Sequence, residues 1–145
     1  MKVLKYVIKG CPRTKKNSQM IAGSGKRCPV CKKFETQWIK QGSVHDEYAE
    51  LAGWQLRPRP MKPIEWPINI KCLFYMDTNR IVDQLNLLAC VDDLLVNNGI
   101  IKDDNSRIVK AHDGSRVLLD RENPRTEIYI TRMPAEDNGQ TSLFD

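Results

Sequence analysis

The chain has 145 residues, 41% of them hydrophobic and 28% charged, with a formal net charge of +5 at pH 7. That length fits one domain whose core needs no disulfide staples. No apolar run approaches the ~20 residues of a membrane-spanning helix and MKVLKYVIKG holds no signal-peptide core, so the expectation is a cytosolic protein with no membrane partner.

The segment Lys2 to Lys9 alternates apolar and polar residues and predicts a strand. Cys11 to Ser18 (CPRTKKNS) reads as a basic loop, and residues 22–43 show no period and are expected to be irregular. Ser43 is placed as a helix N-cap, with Asp46 and Glu47 in the first turn and Tyr48, Leu51, Ala52 and Leu56 on one face. Arg57-Pro58-Arg59-Pro60-Met61-Lys62-Pro63 stops that helix. Ile68 to Met76 predicts a central strand. Val82 to Asn98 predicts the main helix, with Gly99 stopping it. Ser106 to His112 and Thr126 to Met133 supply further strands, with Ser115 to Leu119 continuing the pairing of the first across an Asp113-Gly114 turn. The expected order, βαβαββ, describes an α+β domain with a small mixed β-sheet and two main helices over residues 1–134, followed by a polar tail over 135–145.

Charge is segregated along the chain. Residues 1–66 hold fourteen Lys and Arg against five Asp and Glu, whereas residues 67–145 hold nine against thirteen. A basic half suits a polyanion and an acidic half suits a metal, although an acidic protein partner would exploit the same division. Six aspartates, at 77, 83, 92, 93, 103 and 104, lie between Asp77 and Asp104 with no glutamate among them. Short carboxylates gathered in a basic protein suggest a hard-cation site; helix caps and turns are the structural alternative. At 100° per residue, Asp83, Asn86, Cys90, Asp93 and Asn97 share one stripe of the helix. Asp92 falls on the far side, where an ion pair or a cap is its expected role. Asp93 lies ten residues, roughly 15 Å, beyond Asp83, too far for one Mg²⁺. Asp83, Asn86, Asp103 and Asp104 remain, meeting either within one chain or across a two-fold axis.

The run NRIVDQLNLLACVDDLLVNNGIIKDDNSRIVKAHDGSRVLLDRENPRTEIYI, Asn79 to Ile130, resembles the RusA-type Holliday-junction resolvases, especially their phage-borne branch. KGCPRTKKNSQ, from Lys9, is similar to that branch's opening strand and basic loop. The order DxxN, helix, G-x-x-x-DD and HDGSRV carries the resemblance more strongly than any single motif. It implies a RusA-like fold and a homodimeric, Mg²⁺-dependent endonuclease that cuts branched DNA in recombination and repair. Asp83, Asp103 and Asp104 match the family's metal-binding acids and Asn86 its asparagine. Two positions depart from the pattern: Leu85 stands where the family has a second aspartate, and Ala89 where many members have a lysine. The chemistry is coherent, because phosphodiester hydrolysis needs an activated water and neutralised phosphate charge, both supplied by carboxylate-held Mg²⁺. Arg13, Lys15, Lys16, Asn17, Arg57, Arg59 and Arg116 are candidate DNA contacts.

Two motifs stand outside this scheme. Cys28-Pro29-Val30-Cys31 resembles half of a zinc knuckle, with Cys11 or His45 as completions; a zinc shared across a dimer and two unbound thiols are the alternatives. The odd number of cysteines, five, argues against a secreted disulfide framework, and Cys72 and Cys90 read as core residues. His112 is expected to be structural rather than DNA-facing. Gln140, Leu143 and Phe144 of the tail match the Q-x-x-L-F peptide by which repair proteins dock on the bacterial sliding clamp, and the alternative is that Leu143 and Phe144 fold back onto the domain. The rival functional readings are a non-catalytic junction- or clamp-binding protein of the same fold and a zinc-stabilised nucleic-acid-binding module.

Overall fold

A computed structural model describes residues 3–14, 19–22, 30, 38–41 and 43–134 of the chain. Its element order is β1 (Val3–Lys9), β2 (Gln19–Ala22), β3 (Trp38–Gln41), α1 (Ser43–Gln55), β4 (Ile68–Met76), α2 (Gln84–Asn97), β5 (Val109–Ala111), β6 (Arg116–Leu119) and β7 (Arg125–Arg132).

Strand β4 is the spine of the main sheet. Its nine residues alternate strictly, with Ile68, Ile70, Cys72, Phe74 and Met76 buried and the residues between them half-buried. This period of two points one face at the helices and the other away from them. Antiparallel β7 pairs along one edge of β4, from Ile68 with Arg132 to Tyr75 with Arg125, and β1 extends the sheet beyond β7. The other edge of β4 is shared by two parallel strands, β5 beside Ile68 and Asn69 and β6 beside Leu73 to Met76. A parallel pairing needs a crossover connection, and α2 supplies it.

Tyr48, Ala52 and Leu56 from the α1 segment, Leu87, Leu88, Val91, Leu94 and Leu95 from α2, and the inward residues of β1, β4 and β7 form one core. Burying a Phe or Leu of this kind stabilises the fold by about 1.5–3 kcal/mol. Gly99 follows α2 with φ 70°, a left-handed turn that favours glycine and lets Ile100 and Ile101 donate their amides back to the Leu95 carbonyl.

The α+β class, the mixed sheet and the two main helices are as expected, but three local expectations are corrected. Residues 22–43 are not wholly irregular: β2 and β3 form a separate antiparallel ladder from Gln19–Gln41 to Ala22–Trp38. Each strand is four residues long, too short to display a period, and pairing across the sequence creates the ladder. The strand expected from Ser106 is confined to Val109–Ala111, because Asn105 accepts the amides of Ile108 and Val109 and folds the first half into a turn. Leu51, expected on the inward face of α1, is exposed.

Candidate functional site around helix α2

Asp83 is the N-cap of α2. Its backbone is extended, with φ −86° and ψ 109°, and its Oδ1 accepts the Leu85 amide at 3.0 Å. The Asn86 side-chain amide donates to Oδ2 of the same carboxylate at 3.1 Å. The asparagine three residues on therefore closes a local cap, the arrangement that orphan amides at a helix start favour. The same end of the helix is tied to the sheet. Gln84 donates to the Ser115 carbonyl at 3.3 Å, and the Ser115 hydroxyl accepts the Cys72 amide at 3.0 Å.

The Asp103-Asp104 pair lies past the other end of α2. Asp103 Oδ1 accepts the Asp104 amide and Oδ2 accepts the Asn105 side chain, both at 2.8 Å. These bonds, the one from Asn105 foremost, hold the Asp103 carboxyl below the usual carboxylate range. Asp104 is shifted the other way, chiefly by partial desolvation and then by the neighbouring Asp103, with Asp92 adding further repulsion. Asp92 itself is nine residues, or about 13 Å, along the helix from Asp83.

Asp92 is 8% exposed and faces the His112 ring, whose Nε2 lies 3.0 Å from both carboxylate oxygens. This hydrogen bond raises the His112 pKa, outweighing the burial that lowers it. An ion pair for Asp92 and a structural role for His112 were both expected, and they satisfy one another across the α2–β5 crossover. Asp77 accepts a hydrogen bond from the Cys11 thiol at 3.2 Å, and Cys72 and Cys90 are buried in the core.

The carboxylates matched to a metal site therefore divide into two places, Asp83 with Asn86 at one end of α2 and Asp103 with Asp104 beyond the other. Among the described residues no three His, Cys, Asp or Glu side chains converge in a way that would hold a metal ion. Within one chain Asp83 and the Asp103-Asp104 pair do not form a three-ligand cage.

Of the candidate DNA contacts, Arg13 and Arg116 are exposed. Arg59 is engaged elsewhere: its guanidinium bonds the Gly53 and Leu56 carbonyls and Asn98 Oδ1, at 2.8 to 3.3 Å, joining the C-terminal ends of both helices. Arg57 lies over the Trp54 ring, 5.3 Å from its centroid. Lys15, Lys16, Asn17, Cys28, Cys31, Gln140, Leu143 and Phe144 lie outside the described residues, as does the side chain of His45. Sequence reasoning did not single out Lys5, Lys71, Arg125, Tyr75 and Tyr129, which share the sheet face turned away from the helices. Their alternation within KVLKYVIK, INIKCLFYM and RTEIYITR was the available signal, but only the pairing register aligns them. No family model matches the chain, and no match to a curated protein was found.

Proposed function

We propose that the chain is a RusA-like, Mg²⁺-dependent, structure-selective endonuclease that resolves four-way DNA junctions as a homodimer. The observation that carries this reading is the ordered run of Asp83 and Asn86, the apolar helix, Gly99 with Asp103 and Asp104, and His112 to Val117. The placement of these residues supports it: carboxylates flank one crossover helix, and the His112 end of the run is bonded into its middle. Because no three of the acids converge within one chain, the reading favours a site in which Asp83 of one copy meets Asp103 and Asp104 of a second. Ile81 and Leu85, 98% and 75% exposed on either side of Asp83, are large apolar groups of the kind that a second copy covers.

The test is cleavage of a synthetic four-way junction with and without Mg²⁺. Asp83→Asn keeps the cap and removes the charge, so it should bind the junction normally and cut at less than about a hundredth of the parent rate. Retained cleavage by that variant refutes the assignment of the site. Leu85→Asp restores the acid that the family pattern carries and should raise the Mg²⁺-dependent rate. A second reading, a junction-binding protein without catalysis, is favoured by Leu85 and Ala89 at the family's acid and lysine positions. Junction binding by the parent with no Mg²⁺-dependent nicking selects it.

A further inference from the structure

The buried residues of α1 and α2 belong to one face of the main sheet. Strand register aligns the residues of the opposite face into rows. Lys5, Tyr129 and Lys71 stand side by side on β1, β7 and β4. Val7, Glu127, Leu73 and Arg116 form the next row, and Lys9, Arg125, Tyr75 and Leu118 the third. Register partners share a face, so these rows set five cations around Glu127, and Asp120 Oδ2 at the rim takes Arg125 Nη1 at 2.8 Å.

The central carboxylate is already satisfied. Glu127 is 9% exposed, accepts the Tyr129 hydroxyl at 2.6 Å on Oε1 and accepts Arg125 Nε at 2.8 Å on Oε2. The two rings brace the cations. Lys5 and Lys71 Nζ lie 5.3 and 5.0 Å from the Tyr129 centroid, and the Arg125 guanidinium lies 3.8 Å from that of Tyr75. The Lys5 side chain is nevertheless 54% exposed.

Strands lie about 4.8 Å apart and same-face residues about 7 Å apart along them, so the rows cover a patch about 14 Å in each direction. A patch of that size spans a few consecutive phosphates of one strand. A second copy would set one net positive patch against another, and like charge opposes that pairing. The patch also runs toward Asp83. Its third row is at the C-terminal end of β4, and Arg116 follows the Ser115 whose carbonyl takes the Gln84 amide of α2.

We propose that this sheet face is a second DNA-contact surface that grips the phosphodiester backbone of a duplex arm leaving the Asp83 end. The proposal rests on the DNA-endonuclease reading but concerns residues outside its acidic set. The test is fluorescence anisotropy of the full chain with a labelled four-way junction and a labelled linear duplex, without divalent metal, over about 50–200 mM salt. Lys5→Gln with Lys71→Gln should weaken binding to both DNAs by about tenfold or more. It should also reduce the slope of log K against log salt by about two, near one for each phosphate that is no longer neutralised. Unchanged affinity and slope, with the parent binding normally, overturn the proposal and leave the endonuclease reading standing. A parent that neither binds nor cuts a junction overturns that reading and this proposal with it. Polyglutamate that displaces DNA from the parent at equal charge concentration, but not from the double variant, assigns the face to an acidic protein and also overturns the proposal. Circular dichroism checks folding; if the double variant fails to fold, the two single variants, each expected to lower the slope by about one, decide the question.

Discussion

Replacing His112 with alanine removes the ring that faces both oxygens of Asp92 and leaves a carboxylate that is 8% exposed without that partner. The two side chains are 28% and 11% exposed, which places the pair between a surface ion pair and a buried one. Surface pairs contribute about 0–1 kcal/mol, while breaking a buried pair costs about 3–5 kcal/mol. The expected loss for His112→Ala is therefore about 2 kcal/mol, a fall in Tm of about 4–8 °C for a chain of this size. The pH dependence has a definite sign. Hydrogen bonding to Asp92 raises the His112 pKa above its ordinary value of 6.5. The charge-dependent stabilisation is therefore fully present below the unfolded value and is lost as pH rises through the folded one. Above that range neutral imidazole still donates one N–H to the carboxylate, so the gap between parent and variant should narrow without closing. Urea unfolding followed by circular dichroism at about pH 6 and about pH 9 measures both effects. A variant within about 0.5 kcal/mol of the parent at both values refutes the assignment of Asp92 and His112 as a stabilising pair.

Asp83 has a capping role that can be measured apart from any chemistry. Asp83→Ala should cost about 1 kcal/mol in the same unfolding assay, while Asp83→Asn should be nearly neutral because asparagine caps as well as aspartate. Equal losses in the two variants would show that charge rather than capping holds the helix start. Gly114 has φ 86°, and a Cβ there would lie 2.9 Å from Lys71 Cδ. Gly114→Ala should therefore cost about 1–2 kcal/mol, mostly from the left-handed backbone. Adding Lys71→Ala should relieve the steric clash but not the backbone part, and complete rescue would refute that division.

Much of the scaffold is legible from local pattern. The apolar density of INIKCLFYM announces a central strand, and VDQLNLLACVDDLLVNNG carries an apolar helix and a stopping glycine. The cap at Asp83, one residue inside the expected start at Val82, came from the structure. The separation of Asp83 from Asp93 follows from helix rise alone. The β2–β3 ladder was not legible, because four-residue strands carry no readable period and their partners lie far apart in sequence. The truncated β5 was missed because Asn105 diverts the backbone into a turn, a competition that apolar content does not register.

The carboxylates show the same division. Sequence by itself put Asp83 in the first turn of the helix, set Asp92 on the opposite side for an ion pair or a cap, and identified Asp103 and Asp104 as following the helix. Those are statements about angle and rise along one element, which the peptide geometry fixes. Only the tertiary structure decided that Asp92 meets His112, that Asp103 and Asp83 spend their oxygens on neighbouring turns, and that no three of the carboxylates converge within one chain. Only it aligned Lys5, Tyr129 and Lys71 across three strands. Such contacts join residues far apart in sequence, and their positions depend on the crossover and register of the whole sheet.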